Sequence, residues 1–169
     1  MSALRLVSLD HTHRDALAEL LVETVASGGS VSFMHPLAID DARAFWEQSL
    51  AHAARGARFV LGAFEDDALV GTVTLHLDCP PNQPHRGEIA KMMTRTSHRG
   101  RGVGSGLLQE AERLARANNR TLLVLDTAVD EGASDFYRKL GYTLAGTIPD
   151  FALKPHGGLT GTHIFYKYL

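Results

Sequence analysis

Only one cysteine, Cys79, occurs in 169 residues. No internal disulfide is available, and a reducing compartment is expected. No stretch approaches the roughly 18 apolar residues of a membrane span, and Met1–Asp10 lacks the apolar run of a signal peptide, which points to a cytoplasmic protein. A surplus of charge is missing too: 17 Lys and Arg face 19 Asp and Glu, a formal net charge of −2. That balance gives no global field for nucleic acid or an anionic membrane, so neither is expected as a partner and any anion site has to be local. Nine histidines are present, yet no H-E-x-x-H occurs and His11 and His13 lack a partner at helical-pair spacing, so no metal is expected. At 18.3 kDa the chain suits one domain spanning residues 1–169. With 44% hydrophobic and 21% charged residues, disorder is not expected.

What the chain does have is glycine in one place. Arg99-Gly100-Arg101-Gly102-Val103-Gly104-Ser105-Gly106 sets four glycines at alternate positions, immediately before the apolar-periodic segment Leu107, Leu108, Ala111, Leu114, Ala115. Glycine lets backbone N–H groups converge on an anion, and a helix start supplies unpaired donors and partial positive charge. Arg99 and Arg101 add side-chain charge. The dinucleotide spacing G-x-G-x-x-G fails from both Gly100 and Gly102, whose sixth positions are Ser105 and Leu107, and no Gly-Lys-Ser/Thr is present for a nucleoside-triphosphate loop. Arg-x-x-Gly-x-Gly remains, carried by Arg99, Gly102 and Gly104.

Periodicity organises the rest. Leu4, Leu6 and Ser8 alternate as a short strand. A helix follows from near His13 through Leu17, Leu20, Leu21 and Val25, stopped by Ser27-Gly28-Gly29-Ser30. A second helix runs from Ile39 or Asp40 to about Arg55-Gly56. Residues 58–64 and 69–77 predict an antiparallel hairpin, and 87–94 a further strand after the proline-rich loop 79–85. The glycine loop then opens a helix to about Asn118, and Thr121–Asp126 is a nearly continuous apolar run expected of a strand covered on both faces. Strand, helix and strand imply a parallel crossover. A short helix over 132–140, a strand over 142–147, a Gly/Pro-rich loop and a last strand over 162–168 complete the order.

The Arg99–Gly104 stretch resembles the pyrophosphate loop of the Gcn5-related N-acetyltransferase (GNAT) superfamily, and Ala133-Ser134-Asp135-Phe136-Tyr137-Arg138-Lys139-Leu140-Gly141-Tyr142 resembles its second acetyl-CoA motif. The resemblance implies an α/β (α+β) fold with a mixed central sheet of about seven strands, helices on both faces, and splayed parallel fourth and fifth strands. It implies acetyl-CoA as co-substrate, held by Arg99, Gly100, Arg101, Gly102, Val103, Gly104 and Ser105. The strand before the loop usually carries a bulge in this superfamily, so Lys91, Met92 and Met93 would offer backbone groups to the pantetheine arm, with the Met93 N–H aimed at the thioester oxygen. Glu23–Met34, Leu125-Asp126-Thr127 and Ile164-Phe165-Tyr166-Lys167 are further similar to tabtoxin-resistance acetyltransferases, which detoxify a β-lactam amino acid.

Acetyl transfer to an amine of pKa roughly 9 to 10 needs a base, and the departing thiolate, near ~8.5 by analogy with cysteine, needs a proton. Glu88 and Asp126 sit on the two adjacent strands and are the candidate bases; Tyr137 is the candidate acid. Each has a plainer role available: a solvated strand-edge carboxylate, a chain-turning cap and a packed core ring. His35, His76 and His85 are candidates for an acceptor site, Phe33, Met34 and Trp46 for either core or acceptor wall, and the loop 27–34 for contact with a carboxylate of the acceptor. The expected function is an N-acetyltransferase acting on a small amino-acid-like amine, a toxin or antibiotic among them. The alternatives are a protein or peptide N-acetyltransferase, for which a groove between the last two strands is expected, and a non-catalytic acyl-CoA-binding module. Exposed strands near the C-terminus are compatible with a homodimer.

Overall fold

The computed structural model describes residues 4–169. Among them, strands β1 (Arg5–Ser8), β2 (Arg58–Glu65), β3 (Ala68–His76), β4 (Arg86–Thr94), β5 (Leu122–Ala128), β6 (Thr143–Leu153) and β7 (Leu159–Tyr168) form one sheet in the order β1-β2-β3-β4-β5-β7-β6. Helices α1 (Arg14–Ala26), α2 (Ile39–Ala54), α3 (Val103–Ala117) and α4 (Ser134–Lys139) fill the connections. All pairings are antiparallel except β4 with β5. The expected mixed seven-stranded fold is therefore present.

The alternation along each strand divides the core. On one face Leu61, Val73, Leu75, Ile89, Leu123 and Phe165 pack with Leu107, Leu108 and Ala111 of α3. On the other, Val60, Phe64, Leu69 and Met93 meet Leu17, Leu20, Leu21 and Val25 of α1 and Trp46 and Leu50 of α2. Each such buried side chain contributes about 1.5–3 kcal/mol, so the helices are held by their apolar stripes rather than by caps. Trp46 is completely buried and belongs to the core; Phe33 packs edge-on to Phe45 at 5.2 Å, and Met34 is exposed.

Two departures shape the site. Between β3 and β4 the register runs Thr72↔Met93 and then Thr74↔Ala90, so β4 carries one extra residue, and Lys91 takes φ +51° there. This bulge falls on the expected Lys91–Met93 segment. Parallel pairing of β4 with β5 runs from Arg86↔Leu122 to Glu88↔Val124 and goes no further. Beyond that point the two strands part, and a cleft opens between them.

Sequence patterning misjudged the C-terminal third. Strand β6 continues to Leu153 instead of ending at Thr147, and the ladder with β7 reaches Leu153↔Leu159. Pro149 does not break it because the register shifts between Ile148 and Ala152, where a residue without an N–H donor is tolerated. The two strands pair with each other, with register shifts, as far as Leu153↔Leu159, where a long acceptor would need an open groove between them. Helix α4 is shorter than the predicted 132–140: a 3-10 turn over Val129–Glu131 ends at Gly132, whose φ is +68°.

Candidate active site

Where β4 and β5 separate, a cleft of about 680 Å³ runs between the α3 N-terminus and the loop that follows α1. That volume is in the ordinary range for a ligand-binding cavity. One end is built by the glycine loop. The first intrahelical bond of α3 runs from the Gly106 N–H to the Gly102 carbonyl at 3.0 Å, and no side chain caps the helix. The N–H groups of Val103, Gly104 and Ser105 are left without an intrahelical acceptor, at the positive end of a 15-residue helix dipole. Gly102 holds the turn with φ +84°, a conformation that a Cβ would strain. A Cβ on Gly104 would meet the Phe136 ring at 3.3 Å, so that glycine also permits close approach of α4. Gly106 faces Leu4 and Leu6 instead, and its role is packing against the start of the chain.

Arg99, Gly100, Gly102, Val103, Gly104 and Ser105 all line this end, and Arg99 forms no ion pair with any described residue. Arg101 does not line it. Its guanidinium donates to Glu65 at 2.6 Å, and Glu65 also accepts from or pairs with His98 Nε2 at 2.9 Å. His98, unremarked in the sequence reading, does border the cleft. Uncapped amides, a free guanidinium and a left-handed glycine fit a pyrophosphate, and so fit the diphosphate of coenzyme A.

At the middle of the cleft stand the bulge residues Lys91, Met92 and Met93, with Asp126 and Tyr137 across from them. Tyr137 is 6% exposed, its ring set against Phe136, Tyr142 and Phe165 at centroid distances of 5.0, 5.9 and 5.7 Å. Its hydroxyl has no hydrogen-bond partner among the described residues. Burial, with the negative fields of Asp126 and Glu131, pushes its pKa up to about 12, so the phenol stays protonated at neutral pH. Helix α4 is fixed from behind: Lys167 Nζ donates at 2.8 Å to the Leu140 carbonyl and to both oxygens of the buried Glu112 on α3.

The two candidate bases are placed differently. Glu88 is paired in register with Val124, so Asp126, two residues on, shares its face of the sheet. Asp126 lines the cleft and accepts from the Thr162 hydroxyl at 3.2 Å. Glu88 lies at the last paired position, outside the lining, and takes an ion pair from Arg86 at 3.2 Å. The structure brings together Asp126, Tyr137 and the bulge, and leaves Glu88 one step below.

The other end of the cleft is roofed by the loop after α1. The Ser30 N–H donates to Glu131 Oε1 at 2.5 Å, joining that loop to the segment after β5. Farther out, the His35 N–H donates to the Pro155 carbonyl at 2.9 Å and His156 Nε2 bonds the Ala26 carbonyl at 3.0 Å, tying the roof to the β6–β7 turn. His35 faces His156 on the outside of this roof, at 4.4 Å between rings, rather than lining the cleft. His76 and His85 also stand outside it; burial and the Arg58 charge lower the His76 pKa, and it sits 3.5 Å from Asp78. Ser30 and Ser32 line the cleft from within the loop 27–34, and Thr24 and Thr127 from the segments of resemblance, whereas Thr94 and Glu131 line it without any motif to point to them. Among the described residues no group of three or more His, Cys, Asp or Glu is placed to hold a metal ion, and no helix is long and apolar enough to cross a membrane.

Residues 20–142 match the model of the acetyltransferase (GNAT) family, which spans well over half of the chain. The protein belongs to that family, whose members transfer an acyl group from acetyl-CoA. Solved structures agree on the fold. A ribosomal-protein-alanine N-acetyltransferase from Brucella melitensis superposes with a TM-score of 0.84 at 20% identity, over 98% of this chain and 99% of its own. A putative acetyltransferase from Salmonella typhimurium, solved with its cofactor acetyl-CoA, gives 0.79 at 19% identity over 99% and 94%. A putative phosphinothricin N-acetyltransferase gives 0.81 at 23% identity over 99% of both chains.

Proposed function

We propose that this chain transfers the acetyl group of acetyl-CoA to the primary amine of a small amino-acid-like molecule, with a toxin or antibiotic of the tabtoxinine-β-lactam kind as a candidate acceptor. The observation that carries the choice of a small acceptor is the roof. The Ser30–Glu131 bond joins the loop after α1 to the segment after β5, and the β6–β7 ladder, though shifted in register between Ile148 and Ala152, continues to Leu153↔Leu159, an arrangement that favours a small acceptor over an extended peptide. Sequence likeness of residues 23–34, 125–127 and 164–167 to tabtoxin-resistance acetyltransferases supports the same reading, as does the fold shared with a putative phosphinothricin N-acetyltransferase. The fold shared with a ribosomal-protein-alanine N-acetyltransferase supports a protein acceptor as the second reading.

Bound acetyl-CoA supplies an activated acetyl thioester. Arg99 and the N–H groups of Val103, Gly104 and Ser105 hold its diphosphate. The backbone of the Lys91–Met93 bulge orients the arm that bears the thioester, with the Met93 N–H polarising the carbonyl. Asp126 takes the proton of the incoming ammonium directly, and Glu88 assists through water from its position below the cleft. Tyr137 donates to the departing sulfur. A phenol near 12 facing a thiol of ~8.5 is mismatched by roughly 5 kcal/mol for full transfer in solution terms. Its first contribution is therefore a hydrogen bond to the developing negative charge, and desolvation of the thiolate in the same cleft narrows the gap.

A thiol-release assay with acetyl-CoA over amino acids, β-lactam amino acids and peptides tests the reading. Release with amino acids and not with peptides is expected. Release with peptides alone favours the protein acceptor. No release with any acceptor, while acetyl-CoA still raises the melting temperature, reduces the protein to a coenzyme-binding module.

A further inference from the structure

At the β4 bulge the cleft holds an ammonium group that forms no ion pair with a described carboxylate. Lys91 takes the left-handed backbone conformation of the β4 bulge. Its Nζ donates to Ser32 Oγ at 3.1 Å and lies 5.6 Å from the centre of the Phe45 ring. It forms no ion pair with a described carboxylate, so two of its three N–H donors have no protein acceptor. Burial lowers its pKa while the field of Asp126 raises it, which places a partly desolvated cation within electrostatic reach of the candidate base. On the same loop as Ser32, and also lining the cleft, Ser30 has a buried hydroxyl with no hydrogen-bond partner among the described residues.

A desolvated cation, two unsatisfied donors and an orphaned hydroxyl are the complement of an anion. Asp126, in the same cleft, is the complement of an ammonium. Two opposite charges arranged this way match a molecule that carries both.

We propose that Lys91, with Ser30 and Ser32, binds a free carboxylate of the acceptor, so that the enzyme selects zwitterionic amino acids whose amine is thereby delivered to Asp126. This deepens the acetyl-transfer reading and rests on it for the role of the amine. It separates the substrate class from polyamines and from protein N-termini, which carry no free carboxylate next to the amine. The side chain of Lys91 thus positions substrate while its backbone belongs to the donor site.

The test uses binding of products, which needs no turnover. Calorimetric titration of the coenzyme A-loaded protein compares a panel of N-acetyl amino acids with the matching N-acetyl amines that lack the carboxylate. A charge-assisted contact predicts at least about tenfold tighter binding of the acids. Lys91→Met is expected to erase that preference and Lys91→Arg to keep most of it, with melting curves confirming that both variants fold. The proposal is overturned if the wild-type protein shows no preference for the acid, or if the preference survives in Lys91→Met. A preference that disappears in Lys91→Met while no amine releases thiol keeps the carboxylate subsite and removes the acetyl-transfer reading instead.

Discussion

Replacing Tyr137 by Phe isolates one hydroxyl. The ring contacts with Phe136, Tyr142 and Phe165 survive, and the lost hydroxyl has no hydrogen-bond partner to strand, so the melting temperature at pH 7 is expected to move by less than about 3 °C. Catalysis is expected to suffer far more. General acid help is typically worth 10²–10⁴-fold, or about 3–5 kcal/mol of barrier, so kcat should fall by roughly that factor with little change in acetyl-CoA affinity. A second readout comes from linkage. The folded pKa near 12 lies above the free value of 10, so the folded state retains this proton when the unfolded chain has lost it. The stabilisation is complete below pH 10 and disappears between pH 10 and 12, about 3 kcal/mol in all. Tyr142, whose pKa burial and Glu112 raise in the same direction, adds to that loss in both proteins, so the variant should show a shallower decline rather than none. Steady-state kinetics at pH 7 and denaturant melts from pH 9 to 12 measure the two effects. A kcat within about threefold of wild type would refute the assigned role, and an unaltered alkaline decline would refute the burial argument.

Three further outcomes follow from the same geometry. Asp126→Asn should lower kcat about 10²-fold, whereas Glu88→Gln, outside the cleft and paired with Arg86, should cost less than about tenfold and shift the acidic limb of the kcat/KM profile; the reverse ranking would assign the base to Glu88. Arg99→Ala should weaken acetyl-CoA binding by about ten- to a hundredfold in calorimetry, while Arg101→Ala, whose guanidinium is engaged by Glu65, should change it less than threefold. Lys167→Met leaves the buried Glu112 with only the more distant Arg116 guanidinium at 3.9 Å and takes the donor from the Leu140 carbonyl, which should cost up to about 3–5 kcal/mol and lower the melting temperature by as much as roughly 6–20 °C.

How much was legible in the chain varies with the range of the interaction that decides it. Local signals did well. The glycine run and the apolar periodicity after it located the α3 start to within about four residues, the helix beginning at Val103 inside the run rather than after it, because the backbone freedom of glycine and the 3.6-residue repeat act over a few positions. The continuous apolar run of Leu122–Leu125 announced a strand covered on both faces, and it sits mid-sheet. The end of β6 was not legible: the segment after Thr147 has the glycine and proline content of a loop, and only the register shift against β7 between Ile148 and Ala152 lets the strand run on past Pro149. The fate of each charged site residue was not legible at all. Arg99 and Arg101 look alike in sequence, and only the arrival of Glu65 from the β2–β3 hairpin separates a free guanidinium from an engaged one.

The sequence by itself determined the donor chemistry: a glycine-rich helix start, the Tyr137 motif downstream and a strand that bears the bulge all lie within 55 residues of one another. These are properties of short segments, and the acetyltransferase (GNAT) family model matches on that same part of the chain. Tertiary structure decided what the far side of the cleft brings together. The parting of β4 from β5 beyond Glu88, the roof pinned from Ser30 to Glu131, and the Lys91 ammonium set opposite Asp126 join residues as much as a hundred positions apart. No local pattern encodes such meetings, because they depend on how layers pack and not on what stands next in the chain.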